Sequence, residues 1–396
     1  FYRHVRSRLR VLMQGRQPAG GRWSLDQDNR EPWPGHPEPP SPPSFTHDAV
    51  TEEVATLVRE RFAAHPGRVE LGTLSATAGQ ADQMWTWACA SCLPSFGRYE
   101  DAMSSRSAGL FHTRISPLLN VHRLLPANLV RQVEGLDAPL ASREGFIRQI
   151  LGWREYVRHV HEATAGFTRL GSETVPRGAA PGDGGYQRWS GRAWPIADDA
   201  AAHGGSRINM LDADLPLPVA WWGQPSGLHC LDRVVADVWR DAWSHHITRL
   251  MVLSNIASLI DANPRELTDW FWVAYVDAYD WVVEPNVLGM STYATGPSMT
   301  TKPYVAGAAY INRMSDYCRG CAFDPRRTCP LTRLYWAYLA RHEDALDGNQ
   351  RMTFALGALA RRSAADRTED ARVFEDVRDR LSRGERLDRP PIGPSA

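Results

Sequence analysis

Apolar residues along this chain recur at helical rather than alternating spacing. From Thr51, Val54, Leu57, Val58 and Phe62 recur at helical spacing and predict a helix. A second helix is expected from Gln80 to Cys92. Residues 142–161 carry Phe146, Ile147, Ile150, Leu151, Val157 and Val160 on one stripe, with Ser142 as N-cap. One long helix is predicted over Leu231–Ile260, with Val235, Trp239, Ala242, His246, Leu250 and Leu253 on a single face. The next opens with Asn263 as cap, Pro264 in the first turn and Glu266 completing a capping box. No alternating strand pattern of useful length occurs and no internal repeat is visible. The expected class is all-α.

Between these segments the pattern breaks. Residues 1–45 begin basic and turn Pro- and Gly-rich, which reads as a linker with little structure of its own. Residues 163–207 are rich in Gly, Ala and Asp and poor in large apolar side chains, as in a mobile surface insertion. Long loops are expected around 285–317, and a frayed, proline-rich tail after Leu387.

Composition narrows the picture. At 396 residues the chain can bury a full-sized core. No run of eighteen apolar residues predicts a membrane span, and no signal-peptide pattern opens the sequence. The chain starts at Phe1 inside the basic segment FYRHVRSRLR, which suggests a fragment whose N-terminal part is missing. Forty-five basic residues balance 45 acidic ones, so net charge gives no support for a nucleic-acid partner. Local arginine clusters can still form a phosphate-binding face. Fifteen tryptophans are unusual for a soluble protein and fit either a tryptophan-rich core or indoles that stack on flat cofactors and carry electrons.

Three constellations could carry chemistry. Cys318, Cys321 and Cys329 form CRGCAFDPRRTCP, a thiol-rich loop that suits an iron–sulfur cluster or structural zinc, with Cys230 as candidate fourth ligand. Cys89 and Cys92 have the same C-x2-C spacing. They share the stripe of Trp85 and Ala88, however, and read as core. In SHHITRLM, His246 lies on the apolar face with His245 about 100° round the helix, and Arg249 within reach of both. Such a group suits proton transfer beside an anion. The third set is aromatic: Trp221, Trp222, Trp270, Phe271, Trp272, Tyr279, Trp281, Tyr304 and Tyr310.

These motifs together resemble the photolyase/cryptochrome family, and within it the iron–sulfur bacterial branch. The resemblance rests on FHTRISPLLN (111–120), EGFIRQILGWREYVR (144–158), SHHITRLM (244–251), VDAYDWVVEPNVLGMS (276–291) and TKPYVAGAAYINRMSDYC (301–318). It runs from GGRWSLDQDNR at 20–30 to about Met352. It implies a helical FAD-binding domain over 51–360, after an N-terminal remnant of the α/β antenna region (1–50) and before a C-terminal helix and tail (361–396). By that resemblance His112, Thr113, Arg114, Ile115 and Ser116 lie along the FAD phosphates. Gln149, Trp153 and Arg154 border the flavin cavity, with Arg249 also on the cofactor. Asp277, Tyr279, Glu284 and Asn286 line its isoalloxazine and adenine side.

The resemblance also implies that His246 and His245 are active-site residues, with Tyr304 in the same pocket. Cys230, Cys318, Cys321 and Cys329 would hold a [4Fe-4S] cluster. Phe271 stands where a more oxidisable aromatic is expected, leaving electron transfer to Trp270 and Trp222. The implied activity is blue-light reversal of (6-4) pyrimidine photoproducts in ultraviolet-damaged DNA, with a photoreceptor lacking repair as the alternative. The protein would be a cytoplasmic monomer, with a ribityllumazine antenna in its full-length form.

Overall fold

In the computed structural model, which describes residues 1–63, 65, 67–170, 173–175 and 205–388, helices carry nearly all regular structure. The described strands are two antiparallel hairpins of two-residue strands, Met13–Gln14 with Gln17–Pro18 and Arg169–Leu170 with Glu173–Thr174. The all-α expectation holds. Most of the 163–207 insertion, and the tail from 389, lie outside the described residues.

The backbone forms two compact units. One comprises Phe1–His159 with Trp239–His245, the other Val160–Val238 with His246–Ala396.

In the first unit, the opening segment is not the linker its composition suggested. Tyr2–Leu9 is a helix, and Arg6 is completely buried. Its guanidinium donates to the carbonyls of Val11 (3.2 Å), Leu12 (2.8 Å) and Trp23 (2.8 Å), which is what makes burying the charge tolerable. Val11 and Leu12 then join Trp85, Phe96, Phe146, Ile147 and Ile150 in one core. Ala78–Trp87 starts with a capping box between Thr77 and Gln80 and continues through a π-helical turn, Ala88–Cys92. The helix Ala49–Arg61 also forms, yet Val54 (52% exposed), Leu57 (45%) and Phe62 (46%) face outward and only Ala55 is buried. Spacing revealed the helix but not its buried side.

The predicted 142–161 helix starts earlier, at Leu140, and Ser142 is not its cap. Ser142 is buried within the first turn, where its hydroxyl accepts from the Gly97 amide at 2.9 Å. The long 231–260 helix is broken. His229–Asp241 ends at Ala242, whose φ of 48° is left-handed, and helix resumes at His246. A non-glycine residue there costs about 1–2 kcal/mol and cannot continue a right-handed helix.

In the second unit, Pro264–Ala274 is capped as expected, Asn263 accepting from the Arg265 and Glu266 amides at 2.9 and 3.2 Å. The capping box does not close. Glu266 instead accepts from the Leu217 amide at 2.7 Å, and the Asn263 amide donates to the Leu215 carbonyl at 2.7 Å. The expected loops at 285–317 are partly helical, with Glu284–Ser291 and Ala308–Met314. Pro330–Arg341 packs on Ala364–Ser382, pinned by Arg333 on Asp366 and Asp370.

Candidate functional site

Four π-helical stretches occur among the described residues: Ala88–Cys92, Arg148–Arg154, Arg249–Ser254 and Glu284–Ser291. The last three carry Gln149, Trp153, Arg154, Arg249, Glu284 and Asn286, all expected site residues. Such turns insert a residue into the helical ladder and re-aim the side chains, and they recur at functional sites.

In the first unit the organising group is Glu100, which sequence reasoning missed. Its buried carboxylate accepts from Asn29 (2.6 Å), Arg148 (3.0 Å) and Gln149 (2.6 Å), so Gln149 is held by an acid. Gly145 makes room for this network: a Cβ there would come within 2.6 Å of the Asn29 amide nitrogen and 3.0 Å of the Glu100 carboxylate. The adjacent Asp101 carboxyl is pushed up to about 7, by burial first and then by Glu100. The only sequence signal was the Glu100–Asp101 pair.

His112 is buried and stacks on His245, ring centres 4.4 Å apart and planes 13° apart. Its Nε2 faces the Glu100 carbonyl at 3.1 Å, and a carbonyl can only accept, so that nitrogen carries the proton. Arg114 has a left-handed φ of 54° and lies over Gly109, where a Cβ would meet its Nε at 2.9 Å. Its guanidinium sits 4.8 Å from the Trp243 ring centre and 3.3 Å from Asp241. Burial raises the Asp241 carboxyl, but Arg240 and Arg114 outweigh it and the net shift is down. Trp243 donates to the Ser116 hydroxyl at 3.1 Å. Thr113 and Ile115 are buried between them in sequence. Arg154 pairs with Glu155 at 3.2 Å, and Trp153 meets Tyr156 edge-on at 6.2 Å.

The break at Ala242 reverses the expected burial of the histidines. His245 is only 2% exposed, whereas His246 is half-buried.

In the second unit Arg249 makes a two-pronged ion pair with buried Asp277, at 3.0 and 2.8 Å. Its guanidinium lies 4.1 Å from the Tyr275 ring centre. Tyr275 stacks on Phe271 (5.1 Å, 16°) and meets Trp270 edge-on (5.9 Å). Trp270 in turn donates to the Trp221 carbonyl at 2.9 Å. Tyr275 was not singled out from the sequence, although it stands one helical turn beyond Phe271. Glu284 bonds Arg265 (3.0 Å) and His161 (3.2 Å), and Asn286 donates to the Val282 carbonyl at 2.8 Å. Trp222 is buried, Tyr304 half-buried and Tyr279 partly exposed.

Cys230, Cys318, Cys321 and Cys329 line one small cavity with Leu228, Ile311, Tyr317, Phe323 and Leu331. The Cys318 thiol is pushed up to about 11 and Cys329 to about 12, by burial first. Cys230 is raised well above the usual range, by burial and then by the other three thiols. Thiols that oppose one another's ionisation fit a bound cation, which reverses that penalty. Among the described residues no three of these sulfurs lie within 4.8 Å of one another. Zinc bonds of about 2.3 Å in a tetrahedron would draw them to about 3.8 Å.

Among known proteins the likeness is to photolyases. Residues 1–72 match the family model described as deoxyribodipyrimidine photo-lyase-related protein. A (6-4) photolyase of Agrobacterium fabrum is 34% identical over 372 residues, covering 92% of this chain and 66% of that protein. The chain therefore spans just under two thirds of that relative's length. An uncharacterised protein of Acanthamoeba polyphaga mimivirus is 35% identical over 66 residues, 17% of this chain and 54% of its own. A solved class III photolyase from Agrobacterium tumefaciens aligns with 76% of this chain and 56% of its own, at 15% identity and a TM-score of 0.43, too loose to place individual elements. The chain belongs to the photolyase-related proteins of the photolyase/cryptochrome family. No described helix is long and apolar enough to cross a membrane.

Proposed function

We propose that this chain carries the light-driven repair centre of a (6-4) photolyase. The observation that carries the reading is the 34% identity to a (6-4) photolyase across 92% of the chain. The ion pair of half-buried Arg249 with buried Asp277, beside Tyr275, fits a flavin, since a fixed guanidinium and carboxylate suit the polar edge of a flat heteroaromatic ring. His112–Ser116, Gln149, Trp153, Arg154, Arg249, Asp277, Tyr279, Glu284 and Asn286 are the residues proposed to hold FAD. When bound and reduced, FAD supplies the electron released by blue light.

The chain's own residues do the rest. Trp270 and Trp222 carry electrons inward, because Phe271 is hard to oxidise. A damaged base leaves the duplex at least cost, being poorly stacked, and Tyr304 lines the pocket that receives it. His246, aided by His245, holds the proton that a (6-4) lesion needs, since repair must move an oxygen or amino group between bases. The four cysteines are proposed to hold a [4Fe-4S] cluster, with their wide spacing as support over zinc. Chromatographic assay of defined-lesion oligonucleotides under blue light tests the reading. Repair of (6-4) photoproducts is expected, and its loss in His246→Ala with FAD retained. Repair of cyclobutane dimers alone would refute it, and repair of neither lesion would favour a photoreceptor.

A further inference from the structure

The loop that carries the cysteines also carries a concentrated positive charge. Residues 302–329 hold Lys302, Arg313, Arg319, Arg326 and Arg327 against only Asp316 and Asp324, in a chain whose charges balance overall. Arg319, Arg326 and Arg327 are exposed, and none of them makes an ion pair among the described residues. Asp324, two residues before Arg326, is engaged by the backbone of its own turn. Asp324 Oδ1 accepts from the backbone amides of Arg326 (2.9 Å) and Arg327 (2.8 Å). The Asp324 carbonyl accepts from the amides of Thr328 (3.0 Å) and Cys329 (2.8 Å), and its own amide donates to the Thr328 hydroxyl at 2.8 Å. With Pro325 fixing the backbone inside it, this is a closed turn that presents two adjacent guanidinium groups and ends on a cysteine of the cavity.

We infer that Arg319, Arg326 and Arg327 form a contact surface for the phosphate backbone of a nucleic-acid duplex, separate from the pocket that receives a damaged base. The inference rests on the proposal that DNA is the substrate. Guanidinium groups suit phosphate through two parallel hydrogen bonds, and a turn already closed loses little entropy on binding. Such contacts carry no sequence information. They add affinity and orientation for damaged and undamaged duplex alike.

The test uses the full protein in the dark with a short undamaged duplex, so its outcome is independent of repair chemistry. Each phosphate contact contributes a slope of about −0.9 to log affinity against log salt. The triple variant Arg319→Gln/Arg326→Gln/Arg327→Gln should flatten that slope by about 2.7. The ratio of affinities at about 50 and 200 mM salt then falls about 40-fold. Replacing exposed Arg59 and Arg61 by Gln should leave the slope unchanged. An unchanged slope in the triple variant overturns the inference, as does an equal loss in the control. Loss of visible metal absorbance with the slope intact would also overturn it, showing arginines that merely offset thiolate charge. Should the triple variant fold poorly, the native protein still decides. Duplex should protect Arg326 and Arg327 from phenylglyoxal, read by mass spectrometry, and equal labelling with and without duplex refutes the surface.

Discussion

Cys89–Cys92 and Cys318–Cys321 share one spacing and reach opposite ends. The first pair lies in the helical run Ala88–Cys92, with Cys92 wholly buried and its thiol donating to the His112 carbonyl at 3.7 Å. The second spans the short turn Tyr317–Gly320 and the residue that ends it, Cys321, whose amide donates to the Cys318 carbonyl at 3.3 Å. Burial pushes Cys89 up to about 11 and Cys92 to about 12, the same range as Cys318 and Cys329. What differs is company. Cys89 packs against the first unit's apolar core and Cys92 is buried, whereas Cys318 and Cys321 share a cavity with Cys329 and Cys230. Only the second pair is joined by further thiols from other parts of the chain, as the proposed metal site requires.

The contrast can be broken most severely at Cys230. Cys230→Ser should abolish the broad visible absorbance and the bound iron, and leave most of the protein insoluble. Cys89→Ser should keep full iron content. Iron analysis of both variants settles the assignment, and the opposite pattern would sink it.

A smaller effect concerns reactivity. At pH 8 a thiol at about 11 is almost wholly protonated, so Cys89 should be alkylated about 200-fold more slowly than free cysteine, whose pKa is about 8.5. The sign follows from the raised value. The folded state holds this proton more tightly, so its contribution to stability is full below about 8.5 and is lost as pH rises towards 11. Rates measured from pH 7 to 11 by mass spectrometry should climb throughout. A plateau near pH 9 would contradict the burial. The mildest test is Cys92→Ala, which should lower stability by about 1–2 kcal/mol in urea with metal content unchanged. Loss of iron in that variant would erase the distinction between the pairs.

The helices were legible because their signal is local. Spacing of apolar side chains and Asn263–Pro264 at a helix start both act within a turn or two. Local pattern also put Cys89 and Cys92 on the stripe of Trp85 and Ala88, and Cys92 is buried and Cys89 packs against that core. The outward stripe of Ala49–Arg61 was beyond its reach, since spacing marks a face without saying what packs on it. The break at Ala242 was equally hidden: alanine is a strong helix former, and only the surrounding packing holds it at a φ of 48°. That break decides which histidine is buried. Glu100 gathers Asn29, Arg148 and Gln149 across as many as 71 residues, a convergence no window of sequence displays. The sequence by itself therefore determined the helical class and picked out the four cysteines that line one cavity. Tertiary packing alone decided burial, ion-pair partners and ring stacking, because those depend on contacts between segments far apart in the chain.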